Sequence, residues 1–445
     1  MMLASLPGCS GCKALLAVIP AEWLRFVARK IVLAMAARVK AHVNPALITW
    51  ARETAGFPTP SEAAVQLGIE EAQLAAWEDP SSEKKPSIPQ LRRLAALFRR
   101  PLAAFYMAEP PTRFAVMRDL RRLPGAGLRH YSPALQQEIR AANERRELAL
   151  ELAADLDRQL STFALAATDR EDPERVGERI RAALGVNSQL QSSWKDIDGR
   201  TGFNGWRSRI EDAGVLVFQV TRVEAEEASG FAIAADTLPV IAVNRKDPPT
   251  RRTFSLIHEF AHLMVRVSGV SDLETDAKRP PEDQRIEVFC NQVAAAALIP
   301  REELLSDPRV IAQGPRSTSW SDDAVSDLAR QFNVSRETLL RRLLTFDRTT
   351  VDFYRRKRAQ YLAEYLATRE RQKEKSADAE MRRNMPVETI SNFGRPLVRM
   401  LLSNYYQDRI TLSEVSGYLG LKVKHIPKLE QVAGLRYGGP GDLQH

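Results

Sequence analysis

From about position 44 to 107 apolar residues come in short bursts at helical spacing, separated by single turn residues. Pro45 opens a first helix that includes Trp50, and Pro60-Ser61 start a second that Gly68 ends. Residues 70–77 form a third, and Pro89 starts a fourth on which Leu91, Leu94, Ala95 and Phe98 share a face. A short helix, a glycine turn and another short helix give a helix-turn-helix outline. Charged helices follow over 118–190. The longest, 133–160, carries Leu135, Ile139, Leu148, Leu152 and Leu156 as its apolar stripe. The pattern then changes to β-rich apolar runs at 214–220, 230–234 and 239–244. The last two are joined by a turn around Asp236-Thr237, so a hairpin or meander is predicted. Helical spacing returns at about Arg251 and again over 287–300. Residues 322–343 give a cleaner helix-turn-helix pattern, with Asn333 at the turn and Ser335 as cap, and 410–432 repeat the outline.

These patterns predict an α+β chain, mostly helical and multidomain, with one small α/β core. The boundaries read as an N-terminal extension 1–43, a helix-turn-helix module 44–110 and a helical connector 111–200. The α/β core with its following helix-turn-helix unit covers 201–345, and a basic helical region covers 346–445. Convincing globular patterning begins only at about Met35, as a start site placed too far upstream would give.

Composition narrows the class. With 445 residues, 44% apolar and 27% charged, the chain has material for more than one core and is neither disordered nor a fibre. Three cysteines cannot staple so long a chain, which points to a reducing compartment and a cytoplasmic protein. Cys9 and Cys12 form a CxxC pair with no second pair nearby and read as part of a dispensable extension. The most apolar stretch, 14–37, is broken by Glu22, Arg25, Arg29 and Lys30, so no membrane span is expected. The net charge of +8 permits an acidic partner. It is concentrated over 336–383, with 14 Lys and Arg against 8 Asp and Glu. Arg336, Arg341 and Arg342 there are candidate nucleic-acid contacts, with a solvated helix face as the alternative. The third helix of the N-terminal module begins Glu70-Glu71, ends Glu78-Asp79 and carries no Arg or Lys. That argues against its reading DNA and leaves a docking or sensing role. No feature sets an oligomeric state.

The chemistry sits at His258-Glu259-Phe260-Ala261-His262, an HExxH motif among apolar residues. Residues i and i+4 share a helix face, so both imidazoles can reach one Zn2+. Glu259 is rotated about 100° away, placed to take a proton from the hydrolytic water without itself ligating. A catalytic zinc needs a third protein ligand and one open position. The acidic candidates are Asp272, Glu274, Asp276, Glu282 and Asp283 in a polar loop and Glu287 on the following apolar helix. Glu287 ranks first because a helix is the more rigid platform. Asn291, one turn later, is placed to orient a ligand. An extended substrate would pair with an edge strand, for which 239–244 is the candidate.

Residues 206–300 resemble the ImmA/IrrE family of metallo-endopeptidases. The matching positions are Gly214 to Phe218, Gly230-Phe231, Pro239 to Ile241, Asn244, the HExxH residues, and Glu287-x-x-Cys290-Asn291-x-x-Ala294 ending at Leu298-Ile299-Pro300. The resemblance implies a zincin-like (gluzincin) core with His258, His262 and Glu287 as zinc ligands and Glu259 as general base. It also implies cleavage of a helix-turn-helix repressor, which derepresses stress or mobile-element genes. The N-terminal module resembles the XRE-like domain found ahead of some such peptidases, and an XRE-type repressor is the expected protein substrate. The competing reading is a DNA-binding transcription regulator, or a toxin–antitoxin or phage-defence component, that uses the zincin domain as a sensor.

Overall fold

The computed structural model describes residues 40–111, 118–119, 131–271, 281–377 and 384–434. Cys9 and Cys12, with most of the 1–43 extension, and the tail beyond Gly434 lie outside the described residues. The chain forms two compact units, one N-terminal and one holding Arg118–Asp119 and everything from Glu138 onward.

In the N-terminal unit the helices are Pro45–Thr54, Pro60–Leu67, Glu71–Glu78 and Ile88–Leu97, as the apolar spacing predicts. Asn44 caps the first, and Ser87 with Gln90 makes a capping box on the fourth, so exposed first-turn N–H groups find acceptors. Ile48, Leu74, Trp77, Leu91, Leu94 and Phe98 form the core. Glu78 turns out to be an internal partner rather than a surface charge. Its carboxylate lies 2.7 Å from Nε of buried Arg52, whose Nη1 also donates to the carbonyls of Phe57 and Pro58. Without Glu78 that guanidinium would keep only the two carbonyls and a 3.6 Å contact with exposed Glu53, and would lose its buried counter-ion.

The second unit is built on a mixed five-stranded sheet. Its strands are β1 (Arg118–Asp119), β2 (Leu216–Val220), β3 (Gly230–Ile233), β4 (Val240–Asn244) and β5 (Gly269–Ser271), in the spatial order β1-β5-β3-β4-β2. β3 runs antiparallel to both neighbours, and the two outer pairs are parallel. The β3–β4 hairpin is the predicted one. The predicted edge is overturned: β4 has β3 on one side and β2 on the other, so its backbone groups are already bonded and 239–244 cannot take an extended substrate. The outer strand β2 is itself closed. The Val217 carbonyl accepts from Nη2 of Arg207 at 2.6 Å, and Gln219 donates to the Ser391 hydroxyl on the helix Met385–Phe393 at 2.8 Å. Capping an edge in this way removes a template for unwanted strand pairing.

Every residue of β2 and β4 is buried, which requires helices on both faces of the sheet. The helix Pro249–Met264 packs on β3 and β4, flanked by Arg200–Asp212 and Pro281–Leu298, and all its residues from Ser255 on are buried. Part of the expected connector supports this core. The helix Pro173–Ala183 crosses Pro281–Leu298 so closely that a Cβ on Gly177 would stand 2.7 Å from the Ala297 nitrogen. Arg181 and Gln191 then donate to the carbonyls of Ala297 and Leu298, the orphan acceptors at that helix's end. The helices Asp322–Gln331 and Arg336–Thr345 meet at Asn333, whose φ is 57°. Their Leu328, Phe332, Leu339, Leu340 and Leu343 join the same hydrophobic core as Ile257 and Phe260. Beyond the long helix Val351–Ala377, the helices from Met385 to Ala433 complete the unit, with Thr411 and Glu414 making a capping box. Among the described residues no helix is long and apolar enough to cross a membrane.

Candidate metal centre

One helical turn brings the two imidazoles together. His258 Nε2 and His262 Nε2 are 3.0 Å apart, with ring planes at 68°. From the neighbouring helix Glu287 sets Oε1 3.2 Å from His262 Nε2 and Oε2 3.5 Å from His258 Nε2. All three residues are fully buried. Donors bonded at 2.0–2.1 Å to one tetrahedral ion would lie about 3.3 Å from each other, and the measured separations bracket that value. Two imidazole nitrogens and one carboxylate suit a borderline transition metal. Calcium and magnesium favour all-oxygen shells. Among the described residues this is the cluster of three that could hold a metal ion, and it leaves the fourth position of a tetrahedron open.

The structure brings Glu287 to the histidines and leaves other acids out. Glu282 is exposed and Asp283 is buried a turn earlier, and neither joins the group. Asp272, Glu274 and Asp276 lie outside the described residues. Asn291 is half-buried, with its Oδ1 enclosed and without a hydrogen-bond partner among the described residues. Cys290 is fully buried. Burial, then the nearby Glu287 and Glu259 carboxylates, push its thiol far up, which makes it an inert small hydrophobe.

Glu259 is buried beside the three potential ligands. Burial is the main cause that pushes its carboxyl well above the usual carboxylate range, and the charge of Glu287 adds to it. A hydrogen bond from Ser271 acts in the opposite sense. The Ser271 hydroxyl also stands 3.4 Å from His262 Nε2. Sequence reading passed over Ser271, because nothing local distinguishes it from any other loop serine. It also passed over Asp247, a loop residue that proves to be 2% exposed just ahead of the helix of the motif. Its carboxylate is 3.4 Å from Arg251 Nε, and burial pushes its pKa to about 6.

The three candidate nucleic-acid arginines do not form one surface. Arg342 is buried, with both terminal nitrogens 2.6 Å from Glu174, its Nε on the Ile299 carbonyl at 3.0 Å, and its guanidinium 4.4 Å over the Phe346 ring. It is a core tie, and the expectation of a phosphate contact there is withdrawn. Adjacent helix positions differ by about 100°, so Arg341 faces outward where Arg342 faces in. Arg336 pairs with Glu364 at 2.6 Å and lies 4.0 Å over the Tyr361 ring.

Comparison with known proteins agrees with this geometry. Residues 210–344 match the peptidase M78 family, described as the IrrE N-terminal-like domain. Over 103 residues the chain is 34% identical to the radiation response metalloprotease IrrE of Deinococcus deserti, a match covering 23% of this chain. The chain spans about a third of that relative's length, 34%. The segment that carries His258, Glu259, His262 and Glu287 is therefore similar to a metallopeptidase domain of the ImmA/IrrE family, and both likenesses support a protease-type function.

Proposed function

We propose that this chain is a zinc-dependent endopeptidase that cleaves a helix-turn-helix repressor of the XRE type, and so derepresses stress or mobile-element genes. The observation that carries the reading is the convergence of His258, His262 and Glu287 donor atoms in a fully buried group with Glu259 on the adjoining helical position. His258, His262 and Glu287 would hold the Zn2+, and Asn291 would steady Glu287 from one turn on. The ion's contribution when bound is Lewis acidity toward a water and the scissile carbonyl. Glu259 takes the proton from that water and passes it to the departing amine. The relative's description as a radiation response metalloprotease supports the stress context. Because Arg342 is buried against Glu174, it does not join Arg336 and Arg341 in a phosphate-facing cluster.

The test is Glu259→Gln, assayed beside the wild type against purified repressors of the XRE type. The variant should bind zinc at the wild-type stoichiometry and leave the repressor intact on a gel. Cleavage at the wild-type rate would sink the mechanism.

A further inference from the structure

Two sheet strands beside Glu259 meet at a pair that packs against that side chain. Gly230 on β3 and Ser271 on β5 are direct cross-strand partners. A Cβ built on Gly230 would stand 3.0 Å from Glu259 Oε1 and 3.2 Å from its Cγ, and 2.8 Å from the Ala242 carbonyl oxygen. Real Cβ atoms do not approach a backbone carbonyl that closely, so the β4 backbone by itself demands glycine here, and a Cβ would also press on the Glu259 side chain. Opposite, the buried Ser271 hydroxyl hydrogen-bonds Glu259 and lies 3.4 Å from His262 Nε2, on the side of that ring that faces Glu287. Both strands are pinned beside the pair. Ser229 N donates to the Ser271 carbonyl at 3.2 Å, and the Ser229 carbonyl accepts from Asn244 N at 2.8 Å. Asn244 in turn donates from Nδ2 to the carbonyls of Val223 and Ala228, which ties down the loop that leads into β3.

The geometry points to Gly230 and Ser271 as positioning residues for Glu259: the glycine opens the slot, and the serine hydroxyl sets the orientation of the carboxylate in it. The inference rests on the reading of Glu259 as the general base. Neither residue touches the reacting atoms. Gly230 acts through the aim of Glu259 alone; Ser271 also reaches His262 Nε2 at 3.4 Å, so bound zinc is measured beside kcat, and outer partners of this kind are typically worth 10- to 100-fold in activity.

Two measurements on the full chain test the seat. In the first, Ser271→Ala should lower kcat at least tenfold with KM and bound zinc unchanged. Ser271→Thr, which keeps the hydroxyl, should recover most of the loss, and Gly230→Ala should lower kcat further. The second needs no activity. In EDTA, the melting-temperature shifts of Ser271→Ala and Glu259→Ala should be non-additive in the double variant, because either change alone removes the hydrogen bond between the two side chains. Wild-type kcat in Ser271→Ala, loss of zinc together with kcat, or additive melting shifts would each overturn the inference. If the wild type proves inactive while the shifts are non-additive, the seat stands and only the peptidase reading falls.

Discussion

Replacing Arg342 by Met keeps most of the apolar stem and removes the guanidinium. Three things are lost: a two-point ion pair with Glu174 at 2.6 Å, a hydrogen bond to the Ile299 carbonyl at 3.0 Å, and stacking on Phe346. Breaking a buried pair by deleting one partner costs about 3–5 kcal/mol. Glu174 keeps 27% of its side chain exposed and can rehydrate, which lowers the figure. The Ile299 carbonyl loses a charged donor, worth about 1.5–3 kcal/mol. A net loss of ~3 kcal/mol follows, since the two terms overlap. At roughly 2 °C per kcal/mol for a large unit, the melting temperature should fall by ~6 °C in thermal unfolding. Arg341→Ala, on the outward face, should change stability by no more than about 0.5 kcal/mol. Binding of both variants to a duplex across a salt series completes the assay. If Arg342→Met melts within a degree of wild type while its salt slope on DNA drops by about one, the side chain contacts phosphate and the structural reasoning is wrong.

Two further outcomes follow from the same structure. Burial holds the Asp247 pKa at about 6, above its ordinary 3.8, so the folded state binds that proton more tightly than the unfolded chain does. Its contribution is therefore fully present below pH 4 and lost as pH rises through 6. The ionised carboxylate costs about 3 kcal/mol at pH 8. Asp247→Asn should melt above wild type at pH 8 and lose that lead on acidification to pH 4, whereas a lead of equal size at both pH values would refute the assignment. For the metal centre, zinc at a thousand times its Kd should add about 4 kcal/mol to unfolding, and EDTA should remove it. Glu287→Ala should abolish most of that shift in calorimetry. An undiminished shift in the variant would exclude Glu287 as a ligand.

Local rules account for much of what the sequence made legible. The i, i+4 spacing of His258 and His262 puts two nitrogens on one helix face whatever the rest of the chain does. The apolar pattern from Glu287 onward put that acid first, yet the helix starts at Pro281 and carries Glu282 and Asp283 too, so a contrast of helix with loop does not separate these three; the short-helix pattern from Pro45 to Phe98 follows from glycine, proline and capping chemistry. Strand order is not local. β2 and β4 read alike, each five residues and buried throughout, yet one is central and the other an edge closed by a helix about 170 residues later. No periodicity within 239–244 carries that difference. Arg342 was misread for the same reason: its partner Glu174 lies 168 residues earlier, and only packing turns a basic helix position into a core tie.

The sequence by itself determined the metal motif, the helices that present it and the hairpin beside it, because each depends on contacts within a few residues. Only the tertiary structure decided which acid meets the histidines, which arginine is buried, and which strands pair around Glu259. Those outcomes depend on how distant segments satisfy one another's charges and backbone groups once water is excluded. Gly230 and Ser271 lie on strands 41 positions apart in the chain and meet as direct cross-strand partners only when β3 pairs with β5.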